Sequence, residues 1–89
     1  MQVKLHRSAE KYLDRLQQAD RDRFDTAFAE LEKEPPEGDI KPYKGSSGIL
    51  RLRVGNYRAI FKVEDNSILV THIEPRGQAY TKKTRTKRG

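Results

Sequence analysis

This 89-residue sequence has no cysteine and no tryptophan, one methionine, and only 8% aromatic residues. Without cysteine there is neither a disulfide framework nor a thiolate zinc site, and two histidines alone make a poor metal cage. No apolar run approaches the ~20 residues that cross a bilayer, and Met1-Gln2-Val3-Lys4 leads into alternation rather than the apolar core of a signal peptide. A soluble, unprocessed protein with no membrane partner is therefore expected, in a cytoplasmic setting that the lack of cysteine permits. A Gly-x-Ser-x-Gly nucleophile motif, a phosphate-cradling glycine loop and a metal-binding carboxylate cluster are also missing, so hydrolases of those kinds are not expected, nor is any metal or other cofactor. The length fits one small domain rather than a multidomain enzyme. Hydrophobic residues make up 34% and charged residues 36%, so the core must be thin. A domain of this size buries only ~60 to 65% of its unfolded surface.

Charge is divided unevenly along the chain. Residues 1–40 carry 7 Lys and Arg against 10 Asp and Glu, whereas residues 41–89 carry 12 against 3, giving balances of −3 and +9 within the total of +6. Such asymmetry concentrates positive potential on whatever surface the second half builds, which suits nucleic acid or an acidic protein. The plainer reading, that Lys and Arg keep a small protein dissolved, stands beside it.

Val3 and Leu5 alternate with Lys4 and His6 as in a half-buried strand. Ser8 can cap a first helix carrying Ala9, Tyr12, Leu13 and Leu16 on one face, and Asp20 a second carrying Phe24, Ala27, Phe28 and Leu31. Pro35-Pro36 must end that second helix by Glu34. The stretch from Glu37 to Gly48, with its glycines and Pro42, reads as a loop. Leu50, Leu52 and Val54 then alternate with Arg51 and Arg53, Gly55-Asn56 turns the chain into Tyr57–Val63, and Glu64-Asp65-Asn66 turns it into Ser67–Ile73. This order predicts an α+β fold: one strand, a helical hairpin, then a three-stranded antiparallel meander, in a mainly antiparallel four-stranded sheet with two helices packed on one face. The expected domain spans residues 1–80. Residues 81–89, five of them basic, read as a mobile tail.

Alternation puts Arg51, Arg53, Arg58 and Lys62 on the sheet face away from the helices. Planar guanidinium groups can hold phosphate oxygens and neutralise the charge that builds up as a phosphodiester breaks, a task for which Arg51, Arg53, Arg58 and Arg76 are the candidates. The same alternation is also the ordinary solvated face of a half-buried sheet. Tyr80 can stack on a base or act as a packing plug. His72, alone in its strand, reads as a packed or hydrogen-bonded residue, and His6 carries less signal still.

The runs Ile40-Lys41-Pro42-Tyr43-Lys44-Gly45, Leu50-Arg51-Leu52-Arg53-Val54-Gly55-Asn56-Tyr57-Arg58-Ala59-Ile60-Phe61 and Ile73-Glu74-Pro75-Arg76-Gly77-Gln78-Ala79-Tyr80 resemble the RelE branch of the RelE/ParE toxin superfamily, the last being similar to RelE toxins of archaeal type. The resemblance spans nearly the whole chain and implies the toxin of a type II toxin–antitoxin pair. It implies a metal-independent endoribonuclease that cuts messenger RNA in the ribosomal A site by attack of the RNA 2′-hydroxyl, with an antitoxin, the ribosome and mRNA as partners and no small-molecule cofactor. Arg51 and Arg53 then correspond to a basic pair that is often Lys in bacterial members, Arg58 to the phosphate-binding arginine, Arg76 to the arginine after the last strand, and Tyr80 to the terminal tyrosine. Lys44, Lys62, Lys82 and Lys83 are the accompanying RNA- or ribosome-binding cations. Arginine is a poor general base, so the proton acceptor is unassigned, and related toxins' histidine near the end of the last strand has no counterpart beside Arg76. The alternative is a ParE-like toxin that binds DNA gyrase without cutting RNA.

Overall fold

The computed structural model describes residues 1–45 and 48–76. Its elements are β1 (Gln2–Leu5), α1 (Arg7–Asp14), α2 (Gln18–Leu31), β2 (Asp39–Pro42), β3 (Leu50–Val54), β4 (Tyr57–Glu64) and β5 (Ser67–Pro75). The expected α+β class, with a mainly antiparallel sheet and two helices, is what the chain adopts, but the sheet has five strands in the order β1-β5-β4-β3-β2 rather than four. Among the described residues the β1–β5 pair is parallel and the other three strand pairs are antiparallel.

The extra strand is β2, inside the segment expected to be a loop. It carries one inward apolar residue, Ile40, between Asp39 and Lys41, so it gives almost no hydrophobic alternation. Pro42 is its last residue, paired opposite Leu50, and on an edge strand a missing amide donor is tolerated. Just before the strand, Gly38 adopts φ +139°, and a Cβ there would lie 2.7 Å from Leu52 Cδ1, so the approach to β2 requires glycine.

The helix starts also differ from the expected caps. His6, not Ser8, caps α1, its Nδ1 accepting from the Ser8 amide at 3.2 Å, while Ser8 Oγ donates to the Thr71 carbonyl at 2.8 Å. Gln17 precedes α2 without a side-chain cap, and Asp20 sits in the first turn, where its carboxylate accepts from Tyr57 Oη at 3.3 Å.

Ala9, Phe24 and Leu31 from the helices meet Leu52, Val54, Ala59, Phe61, Ile68, Val70 and Ile73 of the sheet in one core. Among the described residues no helix is long and apolar enough to cross a membrane. A bulge in β5 decides what the opposite sheet face carries. Asp65 and Asn66, both at positive φ, make the tight β4–β5 turn, and pairing runs regularly from Glu64–Ser67 to Phe61–Val70. There it slips by one residue: Ile60 pairs with His72, Arg58 with Glu74, and Thr71 has no partner. Because strand side chains alternate, one extra residue reverses the faces beyond it. Ile73 enters the core, and His72 and Glu74 join the face away from the helices.

Candidate functional site

The far face is a grid set by strand register. Asp39, Arg53, Arg58 and Glu74 form one row across β2, β3, β4 and β5, and Lys41, Arg51, Ile60 and His72 form the next. Lys62 stands further along β4, opposite Leu69. The structure thus brings Arg51, Arg53, Arg58 and Lys62 together on one surface. Arg76 begins beyond β5, tied through its amide to the Asn56 carbonyl at 2.7 Å, beside the β3–β4 turn. Tyr80, Lys82 and Lys83 lie outside the described residues.

The arginines are not bare cations. Arg51 Nη1 lies 3.3 Å from Asp39 Oδ1 and donates to the Asp39 carbonyl at 3.0 Å, leaving its side chain only 15% exposed. Arg53, at 43%, shares the same carboxylate at 3.8 Å. Arg58, at 30%, is ion-paired through Nη2 with Glu74 Oε2, while its buried Nε finds no acceptor among the described residues. Lys62 lies 3.3 Å from Glu64.

Glu74 is the centre of a second group. Its Oε1 accepts from Tyr43 Oη at 3.2 Å and lies 3.4 Å from His72 Nε2. Tyr43 meets His72 edge-on, with ring centroids 6.4 Å apart. Since Tyr43 follows edge strand β2 and Glu74 lies on β5, the tyrosine reaches across the sheet face, on which Ile60 is only 1% exposed. Lys44 Nζ sits 5.1 Å from the Tyr43 ring centroid, a cation–π contact rather than a point on the arginine surface. His72, read from the sequence as packed or hydrogen-bonded, is not packed away: its side chain is 46% exposed on this face, with Thr71 Oγ1 3.4 Å from its Nδ1 and Glu74 Oε1 3.4 Å from its Nε2.

Three residues of the site are not singled out by the sequence reading, Asp39, Tyr43 and Glu74, and His72 is read there as packed or hydrogen-bonded rather than as part of the site. Counting back from the Asp65-Asn66 turn without a bulge would set Ile73, not Glu74, opposite Arg58. Asp39 lay in the supposed loop. Only the resemblance run Ile40–Gly45 hinted at Tyr43.

The site is thus an arginine-bearing sheet face, backed by two helices and fringed by a crossing tyrosine. The model of the family described as ParE toxin of type II toxin–antitoxin system, parDE, matches residues 3–80. Among solved structures, the archaeal RelE–RelB complex from Pyrococcus horikoshii OT3 has a chain 33% identical over 86% of this chain and 96% of its own, with TM-score 0.73. The RelB–RelE antitoxin–toxin complex from Methanococcus jannaschii has one 25% identical, covering 85% and 93%, at 0.69. The toxin–antitoxin complex RelBE2 from Mycobacterium tuberculosis, 23% identical over 84% and 96% at 0.68, shares the fold. A comparison with proteins of curated function finds none that matches. The chain belongs to the ParE toxin family of type II toxin–antitoxin systems, and its structural neighbours place it in the RelE branch of that superfamily.

Proposed function

We propose that the protein is a ribosome-dependent, metal-independent endoribonuclease toxin, cutting messenger RNA in the A site and held in check by a cognate antitoxin. The observation that carries this reading is the direct pairing of Arg53 with Arg58 on adjacent strands, with Arg51 beside them. Like charges placed opposite one another on a sheet destabilise it, and a phosphodiester is a ligand that makes such an arrangement useful.

In the reaction, the 2′-oxygen bonds to phosphorus as its proton leaves, the bond from phosphorus to the 5′-oxygen breaks, and that oxygen takes up a proton. The products are a 2′,3′-cyclic phosphate and a 5′-hydroxyl. Arg51, Arg53 and Arg58 would stabilise the charge gathering on the phosphate oxygens, with Arg76 at the edge. Of the groups on this face that can accept a proton, Asp39 and Glu74 are engaged by arginines, so His72, 46% exposed, is the one assigned the 2′-hydroxyl proton, in place of a Lys in the β3 pair. The 5′-oxygen would take its proton from solvent. Tyr80, at the end of the family match, would stack on a base. The RelE–RelB complexes among the structural neighbours support an antitoxin partner of the same kind.

The test is to incubate purified toxin with one messenger, free and on programmed ribosomes with an empty A site, and to map the ends. Cleavage confined to the ribosome-bound message, lost in Arg58→Ala and reduced in His72→Asn, is expected. Equal cutting of free RNA would remove the ribosome dependence. No cutting in either, together with inhibition of gyrase supercoiling, would establish the ParE-like alternative.

A further inference from the structure

The row Asp39–Arg53–Arg58–Glu74 has its two cations inside and its two anions outside. Asp39 serves Arg53 at 3.8 Å and Arg51 at 3.3 Å, and Glu74 serves Arg58. All three strand arginines of the face therefore rest against a carboxylate. A carboxylate offers a guanidinium two anionic oxygens in a plane, much as a phosphodiester does, so the two anions compete for the same donors.

None of the three pairs is a fixed structural clamp. Asp39 and Arg53 are 44% and 43% exposed, and such exposed ion pairs contribute only ~0 to 1 kcal/mol, while Arg51, 15% exposed, keeps its bond to the Asp39 carbonyl if the carboxylate swings away. Glu74 engages Arg58 at Nη2, leaving Nε without an acceptor among the described residues, and Glu74 has Tyr43 and His72 to hold it on its other oxygen. A carboxylate anchored in this way can release Arg58 and remain hydrogen-bonded.

We propose that Asp39 and Glu74 are built-in counter-ions of the RNA face: they occupy Arg51, Arg53 and Arg58 in the free toxin, and RNA phosphates displace them. Their effect is selectivity. A free single strand must both displace the carboxylates and lose its own conformational freedom, whereas a strand already held in position has only the first cost to meet. This inference rests on the ribonuclease reading and deepens it, giving the toxin's own part in its neglect of free RNA.

The experiment uses the full-length toxin and a single-stranded RNA oligonucleotide carrying 2′-methoxy groups throughout, which cannot be cut by 2′-oxygen attack. Binding is followed by fluorescence anisotropy over a series of salt concentrations for wild type, Asp39→Asn, Glu74→Gln and the double variant. Each amide keeps the size of the side chain it replaces, and Gln still accepts from Tyr43. Each single change should tighten binding about two- to fivefold and the double change about tenfold. The plot of log affinity against log salt should steepen by roughly 0.7 for each cation freed to a phosphate. Asp25→Asn, the same charge change on α2, should leave both quantities nearly unmoved.

Folded variants with wild-type affinity and salt slope, or a gain as large in Asp25→Asn, would overturn the proposal. Should Glu74→Gln fail to fold, Asp39→Asn decides between the same two outcomes by itself. Tighter oligonucleotide binding by the variants, in a toxin that leaves ribosome-bound message intact, would overturn the nuclease reading and keep the counter-ions. Ribosome-dependent cutting with unmoved affinities would do the reverse.

Discussion

Arg53 and Arg58 are neighbours on the same face, but their surroundings give them different weights. Arg53 is largely exposed and 3.8 Å from its partner, so Arg53→Ala should change stability by no more than about 0.5 kcal/mol. Arg58 is half-buried, and removing it leaves Glu74, only 23% exposed, without its cation, so Arg58→Ala should cost about 1 to 2 kcal/mol, less than the loss of a fully buried pair. Urea unfolding of the two variants tests this, and equal midpoints would show that Glu74 is satisfied without Arg58. Tyrosine supplies a second residue-scale test. Burial first, and then the Asp20 carboxylate that accepts its hydroxyl, push the Tyr57 phenol above its ordinary 10.0, and burial followed by the charges of Tyr57 and Glu74 does the same to Tyr12. A folded pKa above the unfolded one means that the native state keeps protons the unfolded chain has lost. Their contribution is complete below pH 10 and disappears as pH rises through the folded values. Wild type should therefore lose more of its urea resistance between about pH 9 and about pH 11 than Tyr57→Phe does. Parallel losses would mean that Tyr57 ionises alike in both states.

At the scale of elements, the helices and the three long strands were legible because each has a repeating apolar face, such as Phe24, Phe28 and Leu31 on α2 or Leu50, Leu52 and Val54 on β3. Strand β2 was not, since Ile40 alone points inward and the pairing that makes it a strand is supplied by β3. The arginines were legible for the same reason as the strands, by alternation. Their carboxylate partners were not, because Asp39 depends on β2 and Glu74 on a one-residue bulge that no residue type announces. That bulge yields a prediction. Deleting Thr71 would remove the bulge and let the regular hairpin run on from Phe61–Val70 with His72, Ile73 and Glu74 still opposite Ile60, Ala59 and Arg58, so both faces should be kept. The deletion removes the Thr71 hydroxyl bond to the Ile60 carbonyl, the Ser8 bond to the Thr71 carbonyl and the local bend of β5, and should cost about 1 to 2 kcal/mol. Thr71→Ser keeps the hydroxyl that donates to the Ile60 carbonyl at 3.2 Å and the carbonyl that accepts from Ser8, and should cost less than about 1 kcal/mol. A deletion variant in which Ile73 leaves the core, or which no longer folds, would show that the pairing beyond the bulge does not survive its removal.

For the molecule as a whole, the charge asymmetry acts at a distance that no single pair reaches. The carboxylates on the sheet blunt the arginine face at contact range. At separations up to the Debye length, roughly 10 Å at 0.1 M salt and longer at lower salt, what an approaching polyanion meets is the net charge of +6, to which Lys82, Lys83, Arg85, Lys87 and Arg88 after Tyr80 contribute five of the positive charges. On the ribonuclease reading, that field draws the toxin toward a polyanionic ribosome before any specific contact forms, an effect on the rate of encounter more than on the lifetime of the complex. Stopped-flow mixing of labelled toxin with empty-A-site ribosomes should then show an association rate that falls about tenfold between roughly 50 mM and 300 mM salt, with dissociation changing much less. Replacing the five tail cations with Gln should lower the rate at low salt and flatten its salt dependence. It should leave nearly unchanged the affinity for the short 2′-methoxy oligonucleotide, which is set by the sheet. A salt-independent association rate would remove long-range steering from the account, and a tail variant that loses oligonucleotide affinity would move part of the RNA-binding surface from the sheet to the tail.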